Sequence, residues 1–507
     1  MTQNSPDSRS LNTKIANGTG WVIAWRVATR NLGLISTLIL VRLLDPADFG
    51  LVALATGFAA TVDTLSVLGV QDALLRAQSP SRDMYDSAFS IALLRGVGTA
   101  LLIAAAAWPV ADFFKEPRLA VVLLSLAAGT VITALENIGT VDFRRDMTFK
   151  KEFHLQVAGR VAGVITTIAL AWLWRDYWAL VVGLLTTRVV RLVQSYIMSP
   201  YRPRLTLRAW RSLIGFSLWS WAITMVQQVR SRADNFVIGR LMTTADVASF
   251  SVGQEIGALP ITEMVEPLHR TLFSAFVVLN HNEKDPHTLY LNVLEAAFLL
   301  VLPAGVGISL IADPMVHLML GERWLSAIPV VQILAIVSTI SMFGTLSDAM
   351  NAAAGNLRVN FIMYSISAAL RVPLLLVLVS AYGVTGGAVA LGLSTLADQV
   401  LFVGVTLRRL DIHAKELVTR LWRAILACLA MTACLWSVGW AWTSTTGDSI
   451  FTVSVDMLLR AGAGALTYTA AIVILWIAAG RPNGAERYVF DQIQKLIGRL
   501  TGAAAAR

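Results

Sequence analysis

The sequence predicts an all-α, polytopic membrane protein of about 14 transmembrane helices, arranged as two parallel six-helix lobes followed by two C-terminal helices. Three observations carry that reading. The 507 residues are 56% hydrophobic and only 14% charged, with a mean hydropathy of +0.65, whereas an average soluble domain carries roughly 25% charged residues. Mostly apolar runs of about 20 residues recur along the chain, each long enough to cross a hydrocarbon layer of roughly 30 Å as a helix. Finally, RLLDPADFG at 42–50 is echoed 198 positions later by RLMTTADVA at 240–248.

Taken in order, spans are expected near residues 16–43, 50–71, 88–112, 118–140, 153–174 and 178–198. The basic segment SPYRPRLTLRAWR follows. Six more are expected near 212–241, 247–276, 289–311, 324–352, 359–381 and 383–407, and two last ones near 421–443 and 456–480. Lysine and arginine give the orientation, because they concentrate in cytoplasmic loops. With the N terminus inside, the inner segments hold Arg144, Arg145, Lys150, Lys151, Arg202, Arg204, Arg208, Arg211, Arg408, Arg409 and others. The outer side keeps little more than Arg42, Lys115, Arg118, Arg175, Arg240, Arg323 and Arg460. Both termini are therefore expected in the cytoplasm. Trp172, Trp174, Trp178, Trp440 and Trp442 then fall at the outer interface, as aromatic belts do. MTQNSPDSRS is polar and the first apolar run is too long for an h-region, so no cleavable signal is expected ahead of it.

Both copies of the repeat sit in outer loops and each has a local role. Asp45 with Asp48, and Thr243 with Asp246, have the spacing of an N-cap residue and an acidic third position, and Pro46 suits a first turn. Two helix starts in the same phase six spans apart also imply parallel repeats, since six is even. The expected organisation is an N-terminal lobe over 1–198, a cytoplasmic linker over 199–211, a second lobe over 212–409, spans 13 and 14 within 410–480, and a cytoplasmic tail over 481–507. In the tail, ERYVFDQIQKLIGRLTG gathers Val489, Phe490, Ile493, Leu496, Ile497 and Leu500 on one side, which suits an interfacial helix on anionic lipid or a docking face for a partner enzyme.

The first helix WVIAWRVATRNLGLISTLILVRLL, followed by DPADFGLVALATGF and LGVQDALLRA, resembles the start of polysaccharide-export flippases of the Wzx/PST type. These belong to the multidrug/oligosaccharidyl-lipid/polysaccharide exporter superfamily. The later GFSLWSWAITMVQQVRSRADNFVIGRLM is similar to that family's seventh helix. The resemblance implies two six-helix lobes facing a central cavity. It also implies movement of an undecaprenyl-pyrophosphate-linked oligosaccharide from the inner to the outer leaflet; the partner enzyme that could dock on the tail helix is then a polysaccharide polymerase or a glycosyltransferase.

Charged side chains at bilayer depth cost several kcal/mol unless they face a cavity or a partner, so those within spans mark candidate sites. Arg26 with Arg30, and Arg188 with Arg191, each share a helical face. Guanidinium forks match phosphate oxygens bidentately, which makes these four, together with Arg230 and Arg232, the expected substrate contacts. Arg188 and Arg191, like Arg95 and Arg160, stand near inner ends, where snorkelling to headgroups is the alternative. Arg230 and Asp234 have the spacing of an intrahelical ion pair. Glu263, Glu266 and Arg270 share a face beside Pro260 and Pro267, as on a bent helix. Asp63, Glu255, Asp348 and Asp398, with no basic partner one turn away, are the candidates for proton or sodium coupling. Glu136, Glu295 and Arg371 complete the polar interior.

Other classes fit less well. Outer loops are short for a membrane-embedded polymerase or ligase, and the sequence has no G-x-x-x-x-G-K-[ST], H-E-x-x-H or cysteine/histidine cluster of metal spacing. No cofactor is expected, nor an enzyme. Cys428 and Cys434 lie in one apolar segment as packing residues. The net charge of +9 reads as cytoplasmic loops rather than a nucleic-acid surface. A multidrug exporter or a peptidoglycan-precursor flippase of the same superfamily are the nearer alternatives.

Overall fold

The computed structural model of the protein describes residues 6–66, 70–77, 80–146, 148–213, 218–265, 276, 286–353, 357–444, 449–482, 484 and 486–487. The chain forms two compact units, Met1–Ala248 and Ser249–Arg507. In the first lie α1 (Pro6–Leu43), α2 (Pro46–Leu65), α3 (Val70–Arg76), α4 (Arg82–Phe114), α5 (Arg118–Ala134), α6 (Asp142–Arg145), α7 (Phe149–Trp174), α8 (Trp178–Met198), α9 (Trp210–Leu213) and α10 (Leu218–Leu241). α11 (Thr244–Gly257) begins in the first unit and continues into the second. There it is followed by α12 (Leu259–Met264), α13 (His287–Leu310), α14 (Ala312–Met319), α15 (Ile328–Ala353), α16 (Leu357–Arg409), α17 (Ala414–Ser437) and α18 (Ile450–Ala478).

Among the described residues nine helices are long and apolar enough to cross a bilayer, and Arg118–Ala134 with Ile138–Arg145, bent by 69°, makes a tenth candidate. One of the nine, α16, folds back at Gly383, where φ 62° and ψ −141° suit glycine alone. It therefore supplies two of the expected spans. The more heavily charged α1 and α10, and the short pair α11 and α12, lie at the remaining three expected positions. Large apolar side chains stay on the outside of the spans, Leu101 at 65% and Ile474 at 65% exposure among them. In lipid these contacts cost nothing.

Helix contacts in the first unit rest on small residues. An added Cβ on Gly163 of α7 would stand 1.9 Å from Thr187 Oγ1 of α8, and one on Gly183 would stand 1.7 Å from Thr167 Oγ1. The two threonines send their hydroxyls back to their own helices, Thr167 to the Gly163 carbonyl at 2.8 Å and Thr187 to the Gly183 carbonyl at 3.0 Å. Both hydroxyls at the seam are thus satisfied within their own helices, and the backbones close up as small-xxx-small packing allows. Gly163→Val is therefore expected to lower stability by about 1–3 kcal/mol, the usual cost of overpacking. Thermal unfolding in detergent measures it; an unchanged midpoint would mean that α7 and α8 part freely.

The two repeat copies meet. A Cβ on Gly50, in the first turn of α2, would lie 1.6 Å from the Thr244 carbonyl oxygen that begins α11. Further along the same seam, a Cβ on Gly239 of α10 would lie 2.6 Å from Leu54 Cδ2, and Phe114 stacks on Phe236 with centroids 5.9 Å apart. The capping differs between copies. Thr243 and Asp246 form a reciprocal box, with Asp246 N–H donating to Thr243 Oγ1 at 3.3 Å and Thr243 N–H to Asp246 Oδ2 at 3.0 Å. Asp45 takes the extended N-cap backbone without a side-chain cap bond, and Pro46 opens the helix instead.

The linker is stitched to α4. Asp86, Ser87 and Ser90 are buried at 3%, 0% and 4% exposure. They receive the Arg204 N–H at 2.9 Å, the Ala209 N–H at 3.0 Å and the Thr206 N–H at 2.9 Å, respectively. Asp86 also accepts the Tyr201 hydroxyl, and Asn137 Nδ2 donates to the Tyr201 carbonyl at 2.6 Å. All but the first two residues of the expected tail helix at 486–502, along with Glu266 and Arg270, lie outside the described residues.

Candidate functional site

Polar groups inside the first unit form a row across four helices. On α4, Arg95 Nη1 stands 3.2 Å from Asp63 Oδ1 of α2 and donates to Ser66 Oγ at 3.4 Å, and Thr99 donates to the same Ser66 hydroxyl at 2.9 Å. Arg95 thus holds the carboxylate for which the sequence of α2 offers no partner. From α8, Arg188 Nη1 donates to the Leu126 carbonyl of α5 at 3.2 Å. Its guanidinium occupies space over Gly129, where a Cβ would meet it at 2.5 Å. One turn on, Arg191 Nη2 pairs with Glu136 Oε2 at 3.1 Å.

These pairs sense one another. Asp63, Glu136 and Arg191 all act electrostatically on Arg188, so Arg95, Asp63, Arg188, Glu136 and Arg191 form one set with more cations than anions. Glu136 Oε1 and Arg191 Nε remain buried without a protein hydrogen-bond partner, which in a polar cluster marks capacity for a further polar contact. On α7, Arg160 points a guanidinium nitrogen at α1, 3.1 Å from where a Cβ on Gly33 would be.

The remaining sequence-predicted arginines are placed differently. Arg26 on α1 is exposed and lies 5.7 Å over the ring of its neighbour Trp25, while Arg30 is half-buried. On α10, Arg230 and Arg232 are half-buried and Asp234 is buried at 1% exposure. Arg232 Nε has no hydrogen-bond partner. Gln228, one turn earlier on α10, donates to Thr61 of α2 at 3.4 Å, two residues from Asp63.

In the second unit the coupling candidates divide. Asp348 on α15 accepts from Asn360 Nδ2 at 3.1 Å and from the Tyr364 hydroxyl at 2.9 Å, both on α16. Asp398 is buried at 3% exposure on the returning half of α16, and Arg371 at 5% on its first half. The same helices bury a polar contact in which Asn351 Nδ2 donates to Thr406 Oγ1 at 3.3 Å, and Tyr290 of α13 bonds Ser347 of α15 at 2.9 Å. Glu255 and Glu263 are exposed. Glu295 belongs to a separate buried cluster: Arg420 reaches it at 3.1 Å and Arg423 at 3.5 Å, and Arg423 Nε also binds Glu486 at 2.7 Å.

Sequence spacing reveals partners one helical turn apart and misses partners across helices, which is why Asp63 reads as a lone carboxylate. A signal was nevertheless present. Each of these acids, Asp63, Glu136 and Glu295, stands within an apolar stretch where a charge requires a partner.

Known proteins place the chain. The family described as polysaccharide biosynthesis protein matches residues 39–329. The lipopolysaccharide biosynthesis protein WzxC of Escherichia coli (strain K12) is 22% identical over 339 residues, 66% of this chain and 69% of that protein. The succinoglycan biosynthesis transport protein ExoT of Rhizobium meliloti (strain 1021) is 24% identical over 333 residues, 64% of this chain and 67% of that protein. Among solved structures, the lipid II flippase MurJ in its inward closed conformation superposes with a TM-score of 0.69 at 15% identity, covering 90% of this chain and 100% of that one. That likeness establishes the fold. The chain belongs to the polysaccharide biosynthesis protein family.

Proposed function

We propose that this member of the polysaccharide biosynthesis protein family is a transporter that moves an undecaprenyl-pyrophosphate-linked oligosaccharide repeat unit across the bacterial inner membrane, for assembly of an exported polysaccharide. The observation that carries the reading is the cationic excess of the charged row in the first unit, Arg95, Asp63, Arg188, Glu136 and Arg191. A diphosphate is an anion whose oxygens match guanidinium forks. A cationic drug would be repelled by the same row. Family membership supplies the polysaccharide context.

In this reading both termini are cytoplasmic, and residues 1–198 and 212–409 act as two parallel lobes joined by the pinned linker. Arg26 and Arg30, one turn apart on α1, take the diphosphate. Arg188 and Arg191, already bound to α5, set the potential around it, and Arg230 and Arg232 contribute from α10. Asp398, buried, and Asp348, half-buried against Asn360 and Tyr364, are preferred over the exposed Glu255 as sites where a proton or sodium ion couples to transport. A polymerase and glycosyltransferases act before and after the transport step.

The test is binding of a water-soluble polyprenyl-diphosphate analogue to purified variants. Arg30→Ala should weaken binding roughly tenfold or more, since a charge-assisted contact contributes about 1.5–3 kcal/mol. Arg30→Lys should recover only part, because lysine keeps the charge and loses the planar fork. If both variants unfold at the parental temperature and bind as tightly as the parent, Arg30 is not a ligand.

A further inference from the structure

Where α8 ends and α4 begins, the first unit carries a hollow of about 490 Å³ lined by Pro80, Arg82, Tyr85, Pro200, Tyr201 and Arg202. It adjoins the ends of two membrane-crossing helices, and so stands at headgroup depth. We propose that this hollow binds the headgroup phosphate of an anionic glycerophospholipid, a site separate from the transport pathway and independent of the cargo proposed above.

The carboxylates near the hollow are mostly consumed by its own walls. Asp86 is buried at 3% exposure and accepts both the Tyr201 hydroxyl and the Arg204 N–H. Asp142 accepts the Tyr85 hydroxyl, which also receives Arg145 Nη1 at 2.8 Å. With both hydroxyls so engaged, Tyr85 and Tyr201, whose centroids are 5.4 Å apart, line the hollow chiefly with their rings. The guanidiniums face outward. Arg82 has a side chain 59% exposed, and its nearest carboxylate, Asp86, is 3.7 Å away. Arg202 is held in place by one nitrogen, Nη1, which donates to the Ser199 and Tyr201 carbonyls at 2.8 and 2.9 Å, and by stacking 5.7 Å over Tyr196. A guanidinium has five donors, so this anchoring orients the fork and leaves capacity for an anion. Asp83 and Asp146 are exposed acids nearby, set against Arg82, Arg145, Arg202 and Arg204.

A lipid fits better than a free anion for a second reason. On the same stretch of chain as Pro200, Tyr201 and Arg202, the protein exposes Ile197 at 76% and Leu205 at 74%. Together with the proline and tyrosine rings, these offer an apolar surface on which the first methylenes of an acyl chain can lie. Basic pockets between span ends are the usual form of such sites.

The full chain, purified in detergent, is titrated with phosphatidylglycerol, phosphatidylcholine or inorganic phosphate, and followed by native mass spectrometry and thermal unfolding. Phosphatidylglycerol is expected to bind saturably and raise the unfolding temperature more than phosphatidylcholine does. Arg82→Gln with Arg202→Gln should weaken that binding roughly tenfold or more. Lys150→Gln with Lys151→Gln, an equal loss of charge outside the hollow, should leave it unchanged. Equal affinity of the arginine pair variant and the parent overturns the proposal, and so does a parent that does not prefer phosphatidylglycerol, a comparison that needs no variant. Stabilisation by inorganic phosphate alone, matching that by phosphatidylglycerol, assigns the hollow to a free anion and likewise overturns it.

Discussion

Arg423→Met is expected to destabilise the protein by about 3–5 kcal/mol, the usual result of removing one partner from a buried ion cluster. Arg423, Glu295 and Glu486 have side chains only 6%, 6% and 8% exposed, with Arg423 bonded to both acids. Methionine fills much of the arginine's volume, so the loss comes from charge rather than from a cavity. Glu295 keeps Arg420 at 3.1 Å, but Glu486, whose Oε2 is already buried without a partner, loses its contact at 2.7 Å. The cluster ties α13 and α17 to Glu486, and a Cβ on Gly484 would stand 2.4 Å from Glu295 Oε1. Adding Glu295→Gln and Glu486→Gln to Arg423→Met should restore most of the stability, because replacing a whole buried cluster by neutral groups is far milder than breaking it. Thermal unfolding of the single and triple variants measures both effects. A single variant as stable as the parent would show that water enters this cluster freely.

The sequence makes the helices legible and hides their pairing, and particular residues show why. Length and apolarity suffice to place α4, α7 or α13, because a span must satisfy its backbone internally and needs about 20 apolar residues. The repeat at Gly50 and Thr244 was visible as letters. That its two copies touch was not, since a missing Cβ carries no sign of what fills its space. The charged interior was legible as a composition of the spans, and opaque as a network. Asp63 looks solitary on α2 and is held by Arg95 of α4; Glu136 is held by Arg191 of α8. The arginines of the linker mark it as a basic loop, yet its backbone N–H groups, which no sequence pattern displays, fix it to Asp86, Ser87 and Ser90.

Joining α2 to α10 by a disulfide between Leu54→Cys and Gly239→Cys is expected to abolish transport reversibly. Leu54 Cδ2 lies 2.6 Å from the position of a Cβ on Gly239, so shortening the leucine to cysteine clears that space and leaves the two thiols facing each other; loss of free thiol on oxidation reports the bond. Leu54 is 1% exposed, and the cavity its truncation opens is partly refilled by the new side chain at 239, which keeps the folding cost small. A carrier that exposes its cargo first to one leaflet and then to the other must open and close helix ends in turn. The seam of Gly50 against Thr244 and Leu54 against Gly239 joins the two repeat copies at the end assigned to the outer side, so it is the place where such opening would begin. With Cys428 and Cys434, both free thiols, replaced by alanine, oxidised protein in proteoliposomes should flip no labelled polyprenyl-diphosphate oligosaccharide, and dithiothreitol should restore it. The reduced variant controls for damage from the substitutions themselves. Full transport with the disulfide formed would mean that α2 and α10 stay together through the cycle, and that the pathway opens along a different seam.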